Sequence, residues 1–143
     1  MQYFSIGKLS EKTGCKIPTI RFYEQEGLLP KAFRTEGNQR RYTVLHFKRL
    51  TFILHARELG FGLEDIRELI RLSLEDTESH HADEIAAKQL QAVESKIERL
   101  QSLKGALLDM MKGCKGREYE SCHVIDVLSD HALCKADHRK MNP

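Results

Sequence analysis

No stretch of the 143-residue chain approaches the roughly 18 consecutive apolar residues that a membrane-spanning helix requires. Its first fifteen residues hold no apolar run of signal-peptide length, because Lys8, Glu11 and Lys12 interrupt them. There is no HExxH, no glycine-rich phosphate loop and no paired-carboxylate motif, and the His and Cys residues lack a nearby general base. These absences argue against membrane insertion, secretion and metalloenzyme chemistry, and leave a cytoplasmic binding protein as the expectation. In that compartment thiols stay reduced, so four cysteines point to metal or redox chemistry before a disulfide framework.

Net charge is also scarce, at +2, but it is unevenly spread. Residues 1–50 hold ten Lys/Arg against four Asp/Glu, and residues 51–143 hold thirteen against seventeen, so the two parts carry +6 and −4. A basic N-terminal part suits a polyanion such as DNA, since Lys and Arg that neutralise phosphates supply most sequence-independent affinity; a solvated basic face is the alternative.

The pattern along the chain is helical. SIGKLSEKT, residues 5–13, places Ile6 and Leu9 at helical spacing after Ser5 as N-cap, and Gly14 can supply the turn that follows. A second short helix is predicted from Pro18 to Glu26, stopped by Gly27, with Phe22 assigned to the core. Two short helices around a tight turn give a helix-turn-helix outline, weak on its own. LLPKAFRTEGNQRRYTV breaks at Pro30, turns at Gly37-Asn38 and resumes with alternating residues, as a short hairpin or wing would. Two amphipathic helices follow, His46 to Glu58 and Leu63 to Leu74, split by Gly60-Phe61-Gly62.

From Ser79 to Met111 no proline occurs, and Leu90, Val93, Ile97 and Leu100 recur at three- and four-residue steps. Such a helix would be about 50 Å long and needs a partner for its seam, a second copy being the economical choice and its own head the alternative. Beyond Gly113 come a polar loop, the helical pattern VIDVL and a His- and Lys-rich tail. The division expected is therefore a head over 1–75, a dimerisation helix over 79–111, a loop and short helix over 112–130, and a flexible tail over 131–143.

RFYEQEGLLP at 21–30, GNQRRY at 37–42 and the long helix ending in a cysteine loop together resemble the MerR family of metal-responsive transcription regulators, from about residue 3 to residue 130. The resemblance implies a mainly α fold: a winged helix-turn-helix head, a long antiparallel coiled-coil dimerisation helix and a short C-terminal metal-binding loop. It implies a homodimer on pseudo-palindromic double-stranded promoter DNA, working with RNA polymerase, with the second helix in the major groove. Thr19, Arg21 and Tyr23, with Lys16 before them, would lie at the DNA, and Arg34, Arg40, Arg41 and Tyr42 of the wing would grip its backbone. Activation would come from metal-dependent distortion of the promoter, within reach of unequal metal binding to two conformations.

Cys114 and Cys122 are separated by KGREYES, and their thiolates are soft ligands that would hold one thiophilic ion per subunit, two loop cysteines with no role being the alternative. Lys112, Lys115 and Arg117 should favour the thiolate of Cys114. His123 and His81 are candidate imidazole ligands or plain surface residues, and at most one of His80 and His81 would reach a shared site. Cys134, with His131 and His138, forms a tail cluster that captures metal or stays disordered. Cys15 is assigned to packing. Counting back along the gap-free helix from VESKIERL places Ser79 where, by the family resemblance, divalent-metal sensors carry a third cysteine. Serine there points to monovalent Cu, Ag or Au, whereas the head resembles the cadmium, lead and zinc branch. Two other regulator types remain as alternatives. A drug sensor would need more aromatics after Met111 than Tyr119, and an oxidation sensor would join Cys114 to Cys122 as a disulfide.

Overall fold

The computed structural model describes residues 2–75, 80–112 and 123–130, and among them six helices and one two-stranded hairpin form. Helix α1, Ile6–Thr13, starts where Ser5 Oγ accepts the Lys8 N–H at 3.1 Å and stops at Gly14, whose φ of +74° is open to glycine at little cost. Helix α2, Ile17–Gln25, carries Pro18 in its first turn, where the missing N–H is no loss. Strands β1, Phe33–Arg34, and β2, Arg40–Arg41, pair antiparallel as the wing. At its tip Asn38, not Gly37, takes the left-handed conformation, with φ +63°.

Helix α3, Val44–Glu58, begins two residues before the expected His46. Thr43 and His46 form a capping box: the Thr43 N–H donates to His46 Nδ1 at 3.0 Å, and His46 Nε2 lies 3.2 Å from the Lys31 carbonyl. One imidazole, only 3 % exposed, thus starts α3 and ties it to the base of the wing. Helix α4, Leu63–Leu74, follows after Gly60 turns the chain at φ +86°.

The first of two compact units runs to Ala86, and its core joins α1 and α2 to α3 and α4 through Leu9, Ile20, Leu28, Leu50, Ile53 and Ile66, all fully buried. The second unit begins at Ala87, inside α5, His81–Lys112. In this unit Ala106 and Met110 of α5 and Val127 of α6, His123–Ser129, are buried. At 32 residues α5 is about 48 Å long. Leu90, Val93, Ile97 and Leu100 stay 58 %, 37 %, 48 % and 63 % exposed in the single chain, so the seam read from the sequence is a real apolar stripe.

Candidate nucleic-acid interface and metal loop

The turn between α1 and α2 is held by Thr13, whose hydroxyl donates to the Leu9 carbonyl at 2.8 Å and accepts the Cys15 N–H at 3.2 Å. Cys15 itself is buried, and burial pushes its thiol up, away from the thiolate that a metal ligand requires. On α2 the outward residues are Lys16, Arg21 and Gln25, with Thr19 half-buried. Phe22, expected in the core, is instead 41 % exposed, and Tyr23, expected at the DNA, takes the inward place at 6 %. The cause is helical phase: Tyr23 lies about 60° from the buried Ile20 around the helix, Phe22 about 160°.

The far end of α2 is bolted down by two arginines from distant helices. Arg67 of α4 donates to the Glu26 carbonyl at 2.7 Å, and Arg49 of α3 donates to the Leu28 carbonyl at 3.2 Å. Gly27 between them has φ +76°, and a Cβ there would stand 3.5 Å from the Arg67 guanidinium. The first carbonyl belongs to the C-cap of α2 and the second to the turn just beyond it, so the clamp ties down the end of α2 and the chain that leaves it. Sequence reasoning missed both arginines.

On the wing, Phe33 opposes Arg41 and Arg34 opposes Arg40. Opposed residues of an antiparallel pair share a face, so Arg40 and Arg41 point to opposite sides. Arg34 is exposed and donates to Asn38 Oδ1 at 3.2 Å, while Arg41, half-buried, donates to Gln39 Oε1 at 2.8 Å. Tyr42 departs from the expectation of a backbone-gripping residue, because it is fully buried. It forms a bridge with Phe4, with backbone bonds of 2.7 and 2.9 Å in the two directions, and this pairing turns its ring into the core against His46.

Cys114, Cys122, Cys134 and Ser79 lie outside the described residues, as do His131 and His138. His123 opens α6. His81 is exposed at the start of α5, with Nδ1 3.3 Å from Glu84 Oε2. Among the described residues no three His, Cys, Asp or Glu side chains converge as a metal site. Nor, among them, is any helix long and apolar enough to cross a membrane.

The family model described as MerR HTH family regulatory protein matches residues 4–73, and the model described as MerR, DNA binding matches residues 47–110. HTH-type transcriptional regulator ZntR of Escherichia coli K12 is 38 % identical over 134 residues, covering 90 % of this chain and 94 % of that protein. The chain belongs to the MerR family. HTH-type transcriptional regulator CueR of Salmonella typhi is 37 % identical over 127 residues, 87 % of this chain and 91 % of that one. Among solved structures, the transcription regulator PbrR691 from Ralstonia metallidurans CH34, in complex with lead(II), superposes with a TM-score of 0.75 at 33 % identity, covering 87 % of this chain and 98 % of that one. The family is one of transcription regulators, not enzymes, and the helix-turn-helix, two-stranded wing and long helix found here are its parts.

Arg21, exposed on α2 of a MerR-type head, gives a direct test. Arg21→Ala is expected to lower the slope of log affinity against log salt by about one unit if Arg21 meets a phosphate. If it reads a base, the variant should lose discrimination between sites and keep its slope. Fluorescence anisotropy with labelled duplexes over a salt series separates the two.

Proposed function

We propose that this MerR-type chain is a cytoplasmic, homodimeric, metal-sensing regulator that binds pseudo-palindromic promoter DNA and activates metal efflux or detoxification genes. The observation that carries the reading is one polypeptide with a basic winged helix-turn-helix head and a two-cysteine loop, in the fold of a relative solved with lead(II). Residues 1–75 read the DNA, 79–111 pair two copies through the apolar stripe of α5, 112–130 hold the metal and 131–143 form the tail. Lys16, Thr19 and Arg21 face the groove, and Arg34, Arg40 and Arg41 hold the backbone, with Arg40 and Arg41 serving different faces of the wing.

Cys114 and Cys122 hold one thiophilic ion per subunit, with His123, His81 and Cys134 as further donors. Two thiolates fit a soft ion by charge and polarisability, and an ion held by Cys114 and Cys122 would supply a soft Lewis acid there. The chain's own residues do the remaining work: the clamp of Arg49 and Arg67 and the His46 tie keep recognition helix and wing in fixed relation, so a strain passed to the head is delivered to DNA without loss. The loaded dimer bends and undertwists the promoter for RNA polymerase, whereas the apo dimer occupies it without activating.

Ser79 and the pair of thiols favour monovalent Cu, Ag or Au; the likeness to a lead(II) complex favours divalent Zn, Cd or Pb. Anaerobic titration of reduced protein with Cu(I), Zn(II), Cd(II) and Pb(II), following thiolate-to-metal absorption, decides between them. Tight two-thiolate Cu(I) binding with weak divalent binding establishes the first class. Tight divalent binding that weakens when the tail beyond Leu133 is removed establishes the second. No cysteine-dependent binding of any of these ions overturns the sensor.

A further inference from the structure

Between α2 and the wing lies a cleft of about 280 Å³, lined by Glu24 and Gln25 on one side and by Lys31, Ala32, Arg34 and Arg40 on the other. Two polar atoms beside it are buried without a direct hydrogen-bond partner, Glu24 Oε1 and the Tyr42 hydroxyl. The Tyr42 ring is fully buried, so its hydroxyl is fixed from behind. Burial foremost, and then the Glu24 carboxylate, push the ionisation of Tyr42 well up while Arg40 pulls the other way, so the phenol keeps its proton and remains a donor. A buried donor and a buried acceptor that act on each other electrostatically, each without a direct partner, are a site for water: buried polar groups in native folds are satisfied, and the cleft far exceeds the roughly 10–15 Å³ that one water needs.

We propose that Glu24 is a positioning residue for the wing: through water in this cleft it joins the Tyr42 hydroxyl and holds Arg40 in the orientation that meets a DNA phosphate. Glu24 belongs to the recognition helix and Arg40 to β2, so this polar knot sets the angle between the two DNA-reading elements. Because it acts across the cleft, Glu24 need not touch DNA. The proposal rests on the DNA-binding reading above.

The test is binding of the full-length protein to mixed-sequence duplex DNA across a salt series, for the parent, Glu24→Gln, Tyr42→Phe, Arg40→Ala and their pairwise combinations. Each single change is expected to lower the slope of log affinity against log salt by about 0.9, one phosphate contact, and adding Arg40→Ala to either of the others is expected to lower it no further. Over a roughly fourfold rise in salt the variants then lose about 3.5-fold less affinity than the parent. A parent slope in Glu24→Gln and Tyr42→Phe overturns the proposal, whatever their melting temperatures. So does tighter binding by Glu24→Gln at an unchanged slope, the sign expected of a carboxylate that merely repels DNA. Should Tyr42→Phe fail to fold, by circular dichroism, the half-buried Glu24→Gln decides alone. Absence of duplex binding by the parent at low salt would instead remove the DNA-binding reading itself.

Discussion

Replacing Cys114 and Cys122 together by serine is expected to abolish metal-dependent transcription while promoter affinity stays at the parent level. The reasoning is chemical. A serine hydroxyl is a hard, neutral, weakly basic donor at neutral pH, so neither replacement provides the anionic soft ligand that a thiophilic ion requires. Duplex binding is assigned to the head, whose core among the described residues runs from Phe4 to Ile70. In vitro transcription with and without metal, paired with footprinting, reads both halves of the expectation. Metal-responsive transcription by the double variant would move the site elsewhere, with Cys134 and the tail histidines as the next candidates. Loss of footprinting in the apo variant would show that the loop serves the fold.

His46→Ala should be the most damaging single change in the head. It removes the capping partner of the Thr43 N–H and leaves the Lys31 carbonyl facing a void, in a position only 3 % exposed. It also removes edge-on ring contacts to Tyr42 and Phe33, at 5.3 and 5.8 Å between centroids. A lost cap and a newly unpaired buried group together cost about 2–4 kcal/mol. For a head of this size that lowers Tm by on the order of 10–20 °C. His46→Gln should recover part of the loss, since glutamine at the third helical position is a normal capping-box partner. Calorimetry on all three proteins checks the order parent, Gln, Ala. An alanine variant that melts within a few degrees of the parent would mean that water replaces the imidazole at both ends.

Much of the head was legible before any coordinates. Ser5, Gly14, Pro18 and Gly27 punctuate α1 and α2 where caps and breakers must stand, and the wing turn was legible from Gly37-Asn38. What failed was phase and distance. Helix α2 has nine residues, two and a half turns, too few for apolar periodicity to choose between the adjacent rings of Phe22 and Tyr23. The start of α3 was missed because histidine stands at the capping-box position that usually holds glutamate or glutamine. Arg67 reaches a carbonyl 41 residues away, and nothing in local spacing reports such a bond. Tyr42 was assigned to DNA through the family resemblance; its bridge to Phe4, which turns the ring inward, is a pairing across 38 residues. The proposed metal loop from Cys114 to Cys122 lies outside the described residues, and its reading rests on two thiols and their basic neighbours in the sequence.

Among the described residues, the core of the head draws on side chains between Phe4 and Ile70. Those side chains leave the ribosome before the apolar stripe of α5 does, and domains generally fold in that order. Each nascent chain can own a finished promoter reader while its sensing segment is still being made. The surface with most to lose from early exposure, Leu90 to Leu100, emerges behind an already folded body. For the homodimer proposed above, two neighbouring chains on one messenger would be free to meet first through those late residues, which would favour pairing between copies of the same product.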